Sequence, residues 1–301
     1  MGGNHHHKTT VSGKNLLFSI VLNLIITLAQ LIGGLISGSL ALISDAIHNF
    51  SDVISLIVSY IANILAKKKS QTIRKTFGYK RAEIIAAFFN ASSLIVIAVF
   101  LGYEAIKRFF TPIEIESNLV IGLAFLGILV NGFSVLLLKK DAEHNLNMKS
   151  AYIHLMADML TSVAVLVGGL LMKFYQIYWI DGILTLIISI YLIKMSWKIF
   201  IDSLQILMLF APKNIVVENV VEELCKIESI KNIHHVHIWQ LNDQDAYFEA
   251  HIEFIKDIKL SDFDVICKQI EVILHDKFNI NHCNLQPEFI REDLKEIIIQ
   301  D

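Results

Sequence analysis

The sequence predicts an α-helical membrane protein, with six transmembrane helices followed by a small cytoplasmic α+β domain. Three observations lead there. The 301 residues are 54% hydrophobic and only 18% charged, with a mean hydropathy of +0.55 and three prolines, too apolar for a soluble domain and too unbroken for a disordered chain. Six apolar runs each reach the roughly 20 residues that a helix needs to cross a hydrocarbon core of about 30 Å. After Ala211-Pro212 the charges return and the apolar residues shorten into patterned runs. The chain therefore divides into an N-terminal tail over 1–15, a transmembrane domain over 16–211 and a cytoplasmic domain over 212–301.

The six runs lie near 16–37, 42–66, 82–108, 116–139, 150–173 and 179–206. Lysine and arginine accumulate on the cytoplasmic side of a membrane protein, so the loops set the orientation. Lys8 and Lys14 precede the first run. Lys67, Lys68, Lys69, Arg74, Lys75, Lys80 and Arg81 lie between the second and third, and Lys139, Lys140 and Lys149 between the fourth and fifth. The alternate loops hold only Lys107, Arg108 and Lys173. Both termini are thus expected in the cytoplasm, as in a multi-pass protein of a bacterial cytoplasmic membrane. The first run is read as a span rather than a cleaved signal, because it exceeds a typical signal-peptide core and the orientation needs it.

The last 90 residues carry helix and strand periods in turn. KNIVVENVVEELCKI is an amphipathic helix, IHHVHIWQL and AYFEAHIEFI alternate as strands, SDFDVICKQIEVILHDKF is a second helix and NHCNLQPE a final strand. LNDQDAY supplies a hairpin turn, and Asp262 after Ser261 marks a helix start. The order α-β-β-α-β describes a small ferredoxin-like sheet with its helices on one face. The net charge of −3 and the lack of basic blocks with interleaved aromatics argue against a nucleic-acid partner. Cys225, Cys267 and Cys283 have no CxxC spacing, so neither a disulfide framework nor a thiolate zinc knuckle is expected.

Polar residues inside the apolar runs carry the functional signal. In SDAIHNFSD of the second run, His48 and Asp52 are four apart and share a helix face; AYIHLMADML of the fifth repeats the spacing with His154 and Asp158. A mid-membrane Asp costs about 2.5 to 3.5 kcal/mol on insertion scales, so two on separate helices should meet a common partner. Two imidazoles and two carboxylates form an N2O2 set, the four-coordinate arrangement that Zn²⁺ accepts with bonds of about 2.0 to 2.2 Å. A lone intramembrane histidine or aspartate is as often a structural hydrogen bond, and it is the repeated pair that favours a metal. Asp45, one turn before His48, reads as an entrance or helix-start residue.

SDAIHNFSD, TFGYKRAE at the start of the third run, HLMAD in the fifth, HHVHIW, EAHIEF and NHCNLQPE together resemble the cation diffusion facilitator family, its zinc-transporting branch in particular, from about Leu16 to Glu288. The resemblance implies a homodimer in the lipid bilayer that exports Zn²⁺ in exchange for protons. It makes His48, Asp52, His154 and Asp158 the ligands of the transported ion, with His rather than Asp at position 48 similar to the zinc-preferring members. It also implies a regulatory Zn²⁺ site in the sheet domain at His234, His251 and His282. Strand alternation puts His235 and His237 on the face opposite His234, where either could replace or bridge to it, and Cys283 is a further alternative ligand.

The chain departs from the family in two places. DAEHNLNMK holds only His144, and KKKSQTIRK holds no histidine, so a loop metal site is not expected; His5, His6 and His7 read as part of a terminal tail rather than a metal collector. Relatives often carry an acidic residue before the proline that ends the sixth span, as a partner for the basic residue at Arg81. Here Leu209 stands in that place, so a carboxylate partner of Arg81 must be another residue, Asp202 two turns back being one candidate. Among competing classes, a membrane metalloprotease lacks its HExxH, and a channel lacks filter loops or charged rings. An exporter of Cd²⁺, Co²⁺, Fe²⁺ or Mn²⁺ is the nearest alternative, because affinity order alone does not select the ion.

Overall fold

In the computed structural model, residues 12–67, 73, 75–142, 146–242 and 245–298 are described. His5, His6, His7 and His144 lie outside the described residues. Six long helices come first: α1 (Ser12–Ser37), α2 (Leu40–Lys67), α3 (Ala82–Phe110), α4 (Ser117–Ala142), α5 (Leu146–Tyr175) and α6 (Trp179–Leu207). Each has 26 to 30 residues, about 39 to 45 Å at 1.5 Å per residue, longer than a hydrocarbon core. They form because an apolar run in lipid must satisfy its own backbone groups, and a helix does so within one segment. Four stretches among the described residues are long and apolar enough to cross a membrane: Ala82–Phe110, Ser117–Lys139, Tyr152–Tyr175 and Trp179–Leu207, with a shorter one at Val21–Ser37.

The chain divides into two compact units, residues 1–60 with 89–199 and residues 61–88 with 200–301. In the first unit α4 packs most extensively on α5 and on α1. Its surface is apolar where that of a water-soluble bundle is polar, and its interior holds polar side chains beside an apolar core. Asn23, Thr27, Gln30, Asp45, His48, Asn49, Asn131, Ser134, Asp158 and Ser162 are buried, whereas Ile32, Leu35, Ile36, Val96, Phe100, Leu136 and Ile190 are exposed. That is the arrangement expected where the surroundings are hydrocarbon and the polar groups must find each other.

One corner of this unit is held by a single carboxylate. Gly38 turns the chain from α1 into α2 at a φ of +75°, a conformation glycine adopts without a Cβ clash. Ser39 Oγ accepts from Leu42 N at 3.1 Å as the cap of α2 and donates to Asp181 Oδ1 of α6 at 2.6 Å. Asp181 also accepts from the amides of Leu40 at 2.9 Å and Ala41 at 3.3 Å, and Arg108 of α3 lies 3.6 Å away while donating to the Gly38 carbonyl.

The second unit contains α7 (Val217–Leu224), β1 (Ile230–Gln240), β2 (Ala246–Phe254), α8 (Leu260–Phe278) and β3 (His282–Glu288). The sheet order is β1-β2-β3, with β1 antiparallel and β3 parallel to β2. Phe248, Ala250 and Ile252 of β2 face a core completed by Val220 and Leu224 of α7 and Ile270 and Leu274 of α8, so alternate residues such as His251 face the other way. The α-β-β-α-β order expected from the sequence is present. The start of α8 differs from expectation: Lys259 is its cap without a side-chain bond, and Ser261 and Asp262 fall in the first turn, where a carboxylate still favours the positive helix end. The hairpin turn is closed by Asn242 Oδ1, which accepts from Asp245 N at 2.7 Å. Asp245 also pairs with Lys80 at 2.8 Å.

Candidate metal sites

α2 and α5 present their His and Asp residues to one another. His48 Nε2 lies 3.5 Å from Asp52 Oδ2 and 3.5 Å from Asp158 Oδ1; His154 Nε2 lies 3.1 Å from Asp52 Oδ2 and 3.6 Å from Asp158 Oδ2. Ligands of a tetrahedral ion with bonds near 2.1 Å stand about 3.4 Å apart, the edge of that tetrahedron. Single donor atoms of His48, Asp52 and His154 all lie within 4.8 Å of one another. Asp158 reaches the two imidazoles with different oxygens. Asp52 Oδ2 and both Asp158 oxygens are buried without a hydrogen-bond donor among the described residues, and a buried carboxylate in that condition is stabilised by a cation or by taking up a proton.

Two further residues belong to this region. Asp45 is neither at an entrance nor at the helix start: α2 begins at Leu40, and Asp45 is buried one turn further in. It accepts from Thr161 Oγ1 at 2.8 Å, Ser162 Oγ at 3.3 Å and Gln30 Nε2 at 3.3 Å, tying α2 to α5 and α1. The approach is tight, since a Cβ on Gly127 of α4 would lie 2.8 Å from Gln30 Nε2. Tyr191 of α6 meets the His48 ring edge-on with centroids 6.0 Å apart. A tyrosine in an apolar run has no sequence feature that marks it, whereas Asp45 is marked by its charge alone.

The second cluster lies on the sheet. His234 and His251 are directly opposite one another on β1 and β2, their ring centroids 5.5 Å apart. His234 Nε2 is 3.2 Å from Glu288 Oε2 and 3.5 Å from Asp293 Oδ2; His251 Nδ1 is 2.9 Å from Glu288 Oε1 and 4.0 Å from Asp293 Oδ2. The four residues have donor atoms mutually within 4.8 Å. Burial lowers the His251 imidazole, favouring the neutral form that ligates metals.

His282 is not brought to this cluster. The parallel register pairs it with Tyr247, whereas His251 is level with Gln286, four residues or about 13 Å along the strand. His282 instead lines an exposed pocket with Glu271, His275 and Cys283. Glu288, two residues beyond Gln286, takes the place expected of it.

The expected alternation of His235 and His237 is also broken. A bulge between His234 and His237, with His235 at a φ of +53°, returns His237 opposite Glu249 on the face of His234. His235 stacks on His251 with centroids 4.6 Å apart. Cys283 packs against the core, and burial pushes its thiol up to about 11, which disfavours the thiolate a metal needs. Asp202 is not the partner of Arg81: it pairs with Lys213 at 2.5 Å, and Arg81 Nε is buried without a hydrogen-bond partner among the described residues.

With this geometry in place, residues 16–208 match the model of the cation efflux transmembrane domain, and residues 212–289 that of the cation efflux protein cytoplasmic domain. The chain belongs to the cation efflux family. It is 36% identical over 290 residues to a cadmium, cobalt and zinc/H(+)-K(+) antiporter of Bacillus velezensis, covering 96% of this chain and 92% of that one. It is 31% identical over 294 residues to the zinc transporter ZitB of Escherichia coli, covering 95% and 92%. The metal cation efflux system protein CzcD of Cupriavidus metallidurans is 31% identical over 289 residues, covering 96% and 90%. This cation efflux protein is therefore an integral membrane transporter and not an enzyme. Its cytoplasmic-domain match ends at residue 289, before Asp293.

Proposed function

We propose that this protein exports Zn²⁺ from the cytoplasm in exchange for protons, and that His48, Asp52, His154 and Asp158 hold the ion in transit. The observation that carries the reading is the four-residue set itself: two imidazoles and two carboxylates from two helices, with imidazole-to-carboxylate distances of 3.1 to 3.6 Å and the carboxylate oxygens short of donors. Two carboxylates balance the charge of Zn²⁺, and neutral imidazoles supply the remaining ligands.

Each donor must be deprotonated to bind metal, so ion and protons compete for the same lone pairs, and that competition is the exchange. Moving two charges out against an inside-negative potential costs about 4.6 kcal/mol per 100 mV, which inward protons offset. Access to the site is one-sided. The Asp52 and His154 side chains are 31% and 35% exposed against 7% for His48 and 1% for Asp158. The more exposed pair lies toward the ends of α2 and α5 that the loop charges assign to the cytoplasm, so this conformation loads from inside. Both termini are cytoplasmic, and rocking of α2 and α5 against the remaining helices would open the other side. The cytoplasmic domain mediates a homodimer and binds Zn²⁺ as a regulator at His234, His251 and Glu288.

The names of the relatives keep Cd²⁺ and Co²⁺ in view. The test is purified protein in liposomes offered Zn²⁺, Cd²⁺, Co²⁺, Mn²⁺ and Fe²⁺ singly, with metal uptake and internal pH followed together. Zn²⁺ movement with opposite proton movement is expected. Metal flux without a proton signal would remove the antiport, and a preference for Mn²⁺ would remove the zinc assignment.

A further inference from the structure

The segment after β3 returns to the sheet and places two cations on the cytoplasmic cluster. Its backbone joins the bulge of β1, where the amides of His235 and Val236 donate to the carbonyls of Glu296 at 3.1 Å and Ile297 at 2.7 Å. Lys295 Nζ is thereby held 3.2 Å from Glu288 Oε2, against Asp293 Oδ1, and 3.4 Å from His234 Nε2. The same His234 Nε2 faces the Glu288 and Asp293 carboxylates as well as the ammonium. His234 is fully buried, and its other ring nitrogen has no hydrogen-bond partner among the described residues. Arg291 completes the set, 3.1 Å from Glu288 Oε1 and 3.7 Å from Asp293 Oδ2.

We propose that this C-terminal segment is a tethered gate on the cytoplasmic metal site. Asp293 supplies a fourth ligand within the same chain, and the Lys295 ammonium stands in the place of a divalent cation until Zn²⁺ displaces it. The proposal rests on the reading of His234, His251 and Glu288 as a metal site, and adds what sets its threshold.

The charges make displacement obligatory. Glu288 and Asp293 are balanced by Lys295 and Arg291, so a divalent ion entering beside both would leave two uncompensated positive charges around a buried imidazole. The ammonium also contacts three of the four ligand residues, so metal and Lys295 cannot share them. Zn²⁺ therefore binds only the fraction of molecules in which Lys295 has swung away, and its apparent affinity falls by that fraction. As the same segment is hydrogen-bonded to the bulge beside His235, metal entry loosens a strand edge as well as filling a site.

The test uses the full chain in detergent, with cytoplasmic zinc binding defined as the part that His234→Ala removes in chelator competition. Lys295→Met should tighten that binding at least about fivefold, the gain expected when a closed state is no longer favoured, and Lys295→Arg should leave it within about twofold. Asp293→Asn, made in the Lys295→Met background so that the loss of a ligand is not masked by the loss of the lock, should weaken it. In the unaltered chain, acylation of Lys295 followed by mass spectrometry should rise when zinc is added.

Unchanged affinity in Lys295→Met, with Lys295 equally reactive with and without zinc, would overturn the gate while leaving the metal site standing. Unchanged affinity in the Asp293→Asn double variant would remove the fourth ligand. No zinc binding sensitive to His234→Ala would instead defeat the underlying metal assignment.

Discussion

Removing the Asp45 carboxylate should weaken ion binding at a site that Asp45 does not touch. Its hydrogen bond from Thr161 at 2.8 Å is a good one to a charged acceptor, and those from Ser162 and Gln30 at 3.3 Å are longer. A hydrogen bond to a charged group contributes about 1.5 to 3 kcal/mol and an ordinary one about 0.5 to 1.5. The cost of burying the carboxylate offsets part of this, leaving about 2 to 4 kcal/mol for Asp45→Ala. Thr161 follows Asp158 by less than one turn, and its single hydroxyl proton lies between Asp45 Oδ1 and the Asp158 carbonyl, each 2.8 Å from Oγ1, so part of that loss appears as misplacement of a ligand. If about 1.4 kcal/mol is expressed there, Zn²⁺ affinity falls tenfold. The assay pairs the zinc dependence of transport in liposomes with thermal unfolding in detergent. Asp45→Ala should raise the half-saturating zinc concentration and lower the Tm, and Asp45→Asn, which keeps an acceptor, should do less of both. A wild-type Tm with wild-type zinc dependence in Asp45→Ala would refute the reasoning.

Other outcomes follow from single contacts. Asp181→Ala removes the acceptor of the Leu40 and Ala41 amides at the start of α2 and leaves Arg108 half-buried without its carboxylate, so unfolding in detergent should show a loss of about 3 to 5 kcal/mol; a loss below about 1 kcal/mol would contradict the role of that corner. Lys226 and Lys277 hold the Glu223 carboxylate down to about 2. Its stabilisation is present above the unfolded value of about 4.3 and disappears as pH falls through about 2. The difference between wild type and Glu223→Gln in thermal unfolding should therefore shrink with acid and not grow. Cys283, pushed up to about 11, should alkylate slowly at pH 8 and about tenfold faster per added unit until the thiol ionises. Fast alkylation at pH 7 that zinc blocks would make Cys283 a ligand after all.

The parts legible in the sequence are those whose physics is local. An apolar run of more than 20 residues specifies a helix without reference to any other segment, and HxxxD twice puts each pair on one face before the packing is known. Asp45 could not be read this way, because its three donors come from positions 15, 116 and 117 residues away. The same limit explains the sheet. His251 was legible as a ligand candidate, but which residue of β3 lies beside it depends on a parallel register, and the register selects Glu288 over His282. A bulge of one residue reversed the face of His237. Asp293 and Lys295 sit in a segment that forms neither helix nor strand, and nothing in FIREDLKEI shows that it folds back onto β1.

The central claim is that the transported ion is held by two imidazoles and two carboxylates in the membrane domain. X-ray absorption at the zinc edge tests it most directly, on full-length protein carrying His234→Ala and His251→Ala so that the cytoplasmic cluster does not contribute. The account predicts about four nitrogen and oxygen neighbours at about 2.0 to 2.2 Å, with imidazole scattering from two of them and no sulfur near 2.3 Å. Adding Asp158→Ala should abolish the bound zinc, so that the zinc edge falls to background. A sulfur shell, a six-oxygen environment, or a spectrum unchanged by Asp158→Ala would contradict it.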